Sequence, residues 1–369
     1  MKFTFRVDAS IKIGSGHLMR CLALASFLRR KGHETFFISR DHVGNMESYL
    51  LQKKFKTFLL SSEIGIKMDK ARKEITHPEH YHFLEYDWKE DAKDANKVLE
   101  KIQTDWLIVD HYALDYRWET LVKENTKKIF VIDDLADRAH ASDLLLDQTL
   151  GRRKDDYKSL VPKKSEVITG SKYALLRSEF KKHRKKSINN RDFSKVRSIL
   201  ITMGGVDRNN FTNKILEILN SHDFSKDIKV KVIMGKSSPW IGQVKESASK
   251  MEYKTDVLTD VENMAELMYK SDLIFGACGS SSWERCCLGI PSINIILEKN
   301  QEKIGNALHS LGACVSLSKS SQSSVEIKHA IINLLKSPYS RKKMSRIASG
   351  VTDGRGIEHI YKCLMQEVA

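Results

Sequence analysis

Residues 3–32 read FTFRVDASIKIGSGHLMRCLALASFLRRKG. The first six, residues 3–8, end on Asp8 and read as a short strand. From residue 17 to 31, Leu18, Cys21, Leu22, Leu24, Ala25 and Leu28 recur at helical spacing, and Gly32 supplies a stop. Residues 33–38 (HETFFI) return to strand. Strand, glycine-bearing turn, helix and strand make a βα unit, which predicts an α/β fold.

The same grammar continues outward. Trp106–Asp110 and Ile129–Asp134 are short apolar runs ending in carboxylates. They suit buried parallel strands whose C-terminal ends open onto a binding crevice. A second series starts near Val196: strand 198–203, helix 209–220, strand 228–234, strand 273–275, a helix from Ser281, and strand 292–297. The expected architecture is two Rossmann-like domains flanking a cleft. The expected boundaries are an N-terminal domain over 1–176, a basic linker or hinge over 177–196, a C-terminal domain over 197–345 and a C-terminal helix over 346–369.

Composition narrows the class. Of 369 residues, 41% are hydrophobic, 30% are charged and five are proline, which excludes a disordered or collagenous chain. No apolar run approaches the roughly 18 residues that cross a bilayer, so no membrane insertion is expected. The start MKFTFRVD lacks the apolar stretch of a signal peptide, which points to the cytoplasm. The cysteines at 21, 278, 286, 287, 314 and 363 include no Cys-x-x-Cys pair and read as reduced, mostly buried thiols. The formal net charge of +15 favours an anionic partner. The densest basic run, Lys181–Lys186, reads as a solvated connector, and no nucleic-acid-binding signature accompanies it.

Four candidate sites fall at strand ends. Gly14-Ser15-Gly16-His17 lets a backbone approach a ligand at a helix start, with Arg6, Asp8, Ser10 and Arg20 around the same turn. The bland alternative is a tight turn with a capping His. The positive end of a helix dipole favours a neutral imidazole, so His17 is a candidate general base; a nearby pyrophosphate would act the other way. Gly276–Glu284 offers small residues and hydroxyls at a helix start, a phosphate cradle with Glu284 placed for a ribose, or else a Ser-capped helix with a capping box. The third is Met203-Gly204-Gly205-Val206-Asp207, and the fourth is Lys299-Asn300-Gln301. Asp110, Asp133 and Asp134, with His111 and His140, lack a metal-ligand spacing and read as polar caps at strand ends.

These motifs together resemble a family. Arg6–Ser10 with Ile13–Cys21, then Val109–Tyr112, Val131–Leu135, Tyr173–Phe180, the 203–207 turn, Ser281–Glu284, Asn300-Gln301 and Asp353–Gly356 resemble the UDP-sugar hydrolases of pseudaminic acid (nonulosonic acid) biosynthesis. Those enzymes act on UDP-2,4-diacetamido-2,4,6-trideoxy-β-L-altropyranose, a precursor for flagellin or surface glycan. The resemblance implies a GT-B architecture and metal-independent hydrolysis with inversion, with no cofactor. It implies His17 as the base. It implies substrate contacts from Tyr112 and Asn300. The strand-end turns themselves put Arg6, Asp8, Gly14, Gly16, Arg20 and Gln301 at the substrate, and Gly204, Gly205, Gly279, Ser280, Ser281, Ser282 and Glu284 at the UDP. Val206 departs from the Ser or Thr common at that turn. The implied partner is a small UDP-sugar, and the alternative is a GT-B glycosyltransferase passing a UDP-amino sugar to a sugar or lipid acceptor.

Overall fold

A computed structural model describes residues 1–62, 77–221, 227–318 and 322–366. The chain divides into two compact units. The first is Met1–Leu175 with the chain from Ile360 on, and the second is Leu176–His359.

The first unit holds β1 (Lys2–Val7), β2 (Glu34–Arg40), β3 (Lys56–Leu60), β4 (Thr104–Asp110), β5 (Thr126–Ile132), β6 (Leu144–Asp147) and β7 (Glu166–Thr169). They pair in parallel throughout, in the order β3-β2-β1-β4-β5-β6-β7. Helices α1 (Gly16–Arg30), α2 (Glu47–Gln52), α3 (Trp88–Ile102) and α4 (Tyr116–Val122) connect strands. The central strands are buried on both faces, which is why β4 and β5 carry nearly unbroken apolar runs. Helix α3 starts where Asp87 accepts hydrogen bonds from the amides of Lys89 (2.9 Å) and Glu90 (3.2 Å). It then buries Trp88, Ala92, Ala95 and Leu99 in one core cluster with Leu107, Trp118 and Ile129. Truncating Leu99, fully buried there, to Ala should cost about 2–5 kcal/mol.

The second unit begins with α5 (Ser178–Asn189). Its strands β8 (Ser198–Thr202), β9 (Lys229–Met234), β10 (Lys254–Thr259), β11 (Leu273–Ala277), β12 (Ser292–Ile295) and β13 (Val315–Leu317) form a parallel sheet in the order β10-β9-β8-β11-β12-β13. Its other helices are α6 (Phe211–Asn220), α7 (Ile241–Ser249), α8 (Met264–Tyr269), α9 (Ser281–Cys287), α10 (Glu302–Leu311), α11 (Ser324–Lys336) and α12 (Pro338–Ser349). Helix α13 (Gly356–Gln366) closes the chain and spans the division between the units. In both sheets the strand order reverses beside the first strand, between β1 and β4 and between β8 and β11. Such switch points are where parallel α/β sheets bind ligands.

Two expected segments come out differently. The stretch read as a linker or hinge, 177–196, is mostly helix α5, with Phe180 and Ser187 buried. Its basic residues have work to do: Arg184 donates to the carbonyls of Cys287 (2.6 Å), Ser349 (2.8 Å) and Thr352 (2.9 Å), where helices α9 and α12 end. The single C-terminal helix expected over 346–369 is instead the end of α12 and a separate α13, because the 350–355 segment with Gly350 and Gly354 interrupts it. Five cysteines are buried and Cys363 is half-buried, all as free thiols. Among the described residues no helix is long and apolar enough to cross a membrane.

Candidate active site

At the first switch point, β1 runs into a closed turn. The Ser10 hydroxyl accepts from the amides of Lys12 (3.1 Å) and Ile13 (2.9 Å), and the Gly14 amide donates to the Ser10 carbonyl at 2.8 Å. Gly14 has φ +81°, a left-handed conformation that favours glycine. The turn delivers His17 into the first turn of α1, which has no acidic residue and no side-chain cap.

His17 meets a carboxylate there. Its Nδ1 lies 2.6 Å from Oδ1 of Asp110, the last residue of β4. Arg20, one turn further along α1, grips the same carboxylate with Nε (2.6 Å to Oδ2) and Nη2 (2.7 Å to Oδ1), and its Nη1 reaches Asp134. Tyr112 donates its hydroxyl to Asp134 at 3.2 Å and packs edge-on to the His17 ring, centroids 4.4 Å apart. A nitrogen 2.6 Å from a carboxylate oxygen carries the proton, so His17 is assigned the Nδ1–H tautomer with Nε2 as the basic nitrogen. Nε2 makes no hydrogen bond among the described residues. Burial alone would push the Asp110 carboxyl up, but Arg20 and His17 outweigh it and hold it far below the usual range.

Asp110 is thus the residue that sequence reasoning placed in the wrong role. It caps no helix; it orients the candidate base. Arg20 is 95% buried between two carboxylates, so it braces the site rather than presenting a free guanidinium.

Arg6 and Asp8 also move from contact to support. Both are fully buried beneath α3. Arg6 donates to Asp8 (2.5 Å) and to Asp91 (3.2 and 2.8 Å), and Arg40 and the Trp118 indole converge on Asp91 as well. Asp8 accepts from the Arg40 amide at 2.7 Å and faces His111 (3.2 Å) and His42 (3.4 Å). The Ala113 amide donates to His111 Nδ1 at 3.1 Å, so His111 Nε2 carries its proton toward Asp8. Asp133 accepts from Arg138 (2.8 Å), the Ala136 amide (2.8 Å) and the Tyr157 hydroxyl (2.7 Å), while His140 pairs with Glu119 at 2.7 Å.

The second unit has its own switch-point loops. After β8, Gly204 takes φ +90°, and a Cβ on Gly235 would fall 2.1 Å from the Gly205 carbonyl oxygen. Asp207 then accepts from the amides of Phe211 (3.0 Å) and Thr212 (2.9 Å), so its carboxylate occupies the start of α6. The exposed Gly204 and half-buried Gly205 leave the turn's backbone open to a ligand.

After β11, Gly279, Ser280 and Ser281 are half-buried, whereas Ser282 is buried and accepts from Arg285 at 2.9 Å. The alternative of a Ser-capped helix with a capping box is not formed: no side chain caps α9, and Glu284 pairs with Arg177 at 3.1 Å. Gln301 accepts from the Leu297 amide (3.0 Å), which fixes the loop after β12. Asn300 beside it is half-buried, and its Oδ1 makes no hydrogen bond among the described residues.

Residues 198–360 match the glycosyltransferase family 28 C-terminal domain. Over its whole length the chain is similar to MurG of Acinetobacter baumannii: TM-score 0.66, 99% of each chain covered, 12% identity. Its fold is GT-B. By sequence this GT-B chain is 28% identical to the UDP-2,4-diacetamido-2,4,6-trideoxy-beta-L-altropyranose hydrolase of Campylobacter jejuni, over 85% of the chain and 97% of that protein. It is 26% identical to an uncharacterized protein of Methanocaldococcus jannaschii over 82% of the chain; the match spans 56% of that relative's length.

Proposed function

We propose that this GT-B enzyme hydrolyses a UDP-linked 2,4-diacetamido-2,4,6-trideoxy hexose, the substrate class in the name of its Campylobacter relative. The observation that carries the reading is the His17–Asp110 pair with its basic Nε2. A transferase to a sugar or lipid acceptor is the second reading, favoured by the family 28 match of the C-terminal domain.

The first unit supplies the base. His17 Nε2 takes a proton from water as the water oxygen bonds to the anomeric carbon. The bond from that carbon to the diphosphate oxygen breaks, and UDP leaves with the electron pair. Attack opposite the leaving group inverts the anomeric centre. Asp110 keeps the imidazole in the productive tautomer and stabilises the imidazolium that forms, which then returns its proton to solvent. Tyr112 lies against the imidazole and is assigned to the sugar; Gly14 and Gly16 let the sugar approach the turn.

The second unit holds the nucleotide. Backbone amides at Gly204, Gly205, Gly279, Ser280 and Ser281 stabilise charge on the departing diphosphate. Glu284 is assigned to the ribose, and Asn300 and Gln301 to the sugar. The reaction needs no cofactor and no metal. On this reading the enzyme works in the cytoplasm, within pseudaminic acid biosynthesis.

The test is UDP release from the UDP-diacetamido-trideoxy-altrose, with and without EDTA, in wild type and His17→Asn, with the sugar anomer followed by NMR. Expected is EDTA-resistant release with inversion, reduced about 10²–10⁴-fold in the variant. Release that requires an added acceptor would replace hydrolysis with transfer. Undiminished release by His17→Asn would remove His17 from the base role.

A further inference from the structure

Arg285 is a buried cation without an anion. It is 1% exposed. Nη1 donates to the Ser281 hydroxyl (3.0 Å), Nη2 donates to the Ala277 carbonyl (2.8 Å) and the Ser282 hydroxyl (2.9 Å), and the buried Nε has no partner. Among the described residues no carboxylate forms an ion pair with it. The buried arginines of the first unit are built otherwise: Arg6, Arg20 and Arg40 each meet two aspartates. Arg341 meets the last carbonyls of α11. Arg285 instead reaches back to the hydroxyls of Ser281 and Ser282 in the first turn of its own helix.

The nearby ionisable groups do not neutralise it. Burial pushes the thiols of Cys278 and Cys286 up, and that of Cys314 up to about 12, so all three are uncharged at neutral pH. Glu284 is engaged by Arg177. The strand is shaped to keep the guanidinium in place: a Cβ on Gly276 would stand 2.5 Å from Nη1.

We propose that Arg285 is the built-in counter-charge for the diphosphate, acting through the Ser281 hydroxyl. Because Arg285 donates to Ser281 Oγ, that hydroxyl must turn its own proton elsewhere. Ser281 is half-buried at the loop surface, so the proton is available to a phosphate oxygen. The buried charge polarises this donor and has its compensating anion only when the nucleotide is bound. Arg285 is therefore a positioning residue. The inference rests on the UDP-binding role assigned to this unit.

Calorimetric titration of the full chain with UDP and with uridine tests it, alongside thermal melting without ligand. Arg285→Met should bind UDP about 10- to 100-fold more weakly, as for the loss of a charge-assisted contact, with uridine affinity unchanged. Its unliganded melting temperature should equal or exceed wild type, because an uncompensated buried charge costs stability. A merely structural arginine would give the reverse pattern, a lower melting temperature with UDP affinity retained, and that result would overturn the proposal. Arg285→Lys keeps the charge without the planar fork and should bind UDP with intermediate affinity; wild-type affinity in it would also overturn the proposal. Absence of UDP binding by the wild-type chain would overturn the nucleotide assignment itself, and this inference with it.

Discussion

His17 and Asp110 lie 93 positions apart in the chain, and their Nδ1 and Oδ1 atoms lie 2.6 Å apart in space. The carboxylate decides which imidazole nitrogen is basic. Asp110→Asn tests this, because an amide can turn its N–H toward Nδ1 and so favour the tautomer with the proton on Nε2. We expect kcat to fall about 10²–10⁴-fold with little change in KM. Steady-state kinetics of the variant would read this directly; retention of the wild-type kcat would remove the pair from the mechanism.

Arg20 ties the same carboxylate to Asp134. Removing it leaves the buried Asp110 and the partly buried Asp134 without their cation. Arg20→Ala should therefore destabilise the chain by about 3–5 kcal/mol, measured by denaturant melts. Arg20→Lys keeps the charge but cannot hold Nε and Nη2 contacts on Asp110 together with an Nη1 contact on Asp134. It should fold, and lose kcat more than substrate affinity. An unaltered melt for Arg20→Ala would show that the bridge contributes nothing to folding.

Both sheets are legible in the sequence because doubly buried parallel strands leave continuous apolar runs, as in Trp106–Asp110 and Ile129–Ile132. The turn bearing His17 is legible because strand and helix periods change across it. Its partner is not. Asp110 meets His17 because β4 lies next to β1 in the sheet, and chain order does not say which strands become neighbours. Arg6 and Asp8 illustrate the opposite error. Polar residues clustered near a glycine turn look like a site, but Arg6 in β1 and Asp8 just beyond it pair with each other, and Asp91 of α3 meets Arg6 there. Helix α5 hides because it buries only Phe180 and Ser187 among cations, too few apolar positions to reveal a helical period.

Gly235 shapes the turn after β8 without belonging to it. Its added Cβ would fall 2.1 Å from the Gly205 carbonyl oxygen and 2.9 Å from Gly205 Cα, and backbone atoms cannot rotate away. Gly235→Ala should cost about 1–3 kcal/mol and displace the Gly204-Gly205 turn. On the proposed function it should also weaken UDP binding, measured by calorimetry, although residue 235 is assigned no contact with the nucleotide. Wild-type UDP affinity in a folded Gly235→Ala chain would show that this turn does not hold the diphosphate.

Asp147 carries the clearest pH signature. Tyr157 has one hydroxyl proton, yet its oxygen lies 2.7 Å from Asp133 and 2.8 Å from Asp147. Burial, and then the negative charge of Asp134, push the Asp147 carboxyl up to about 6, despite the opposing pull of Arg152. A carboxyl raised above its unfolded value of about 3.9 binds a proton on folding, so its ionisation weakens the native state. Its contribution is fully present below about pH 4 and is lost as pH rises toward and through about 6, a change on the order of 2–3 kcal/mol. Asp147→Asn keeps an acceptor for the Thr149 amide but cannot ionise. The melting temperature of the variant relative to wild type should therefore rise from pH 5 through pH 6 and level off by pH 7. A difference that stays flat over that range would mean that Asp147 ionises in the fold as it does in the unfolded chain.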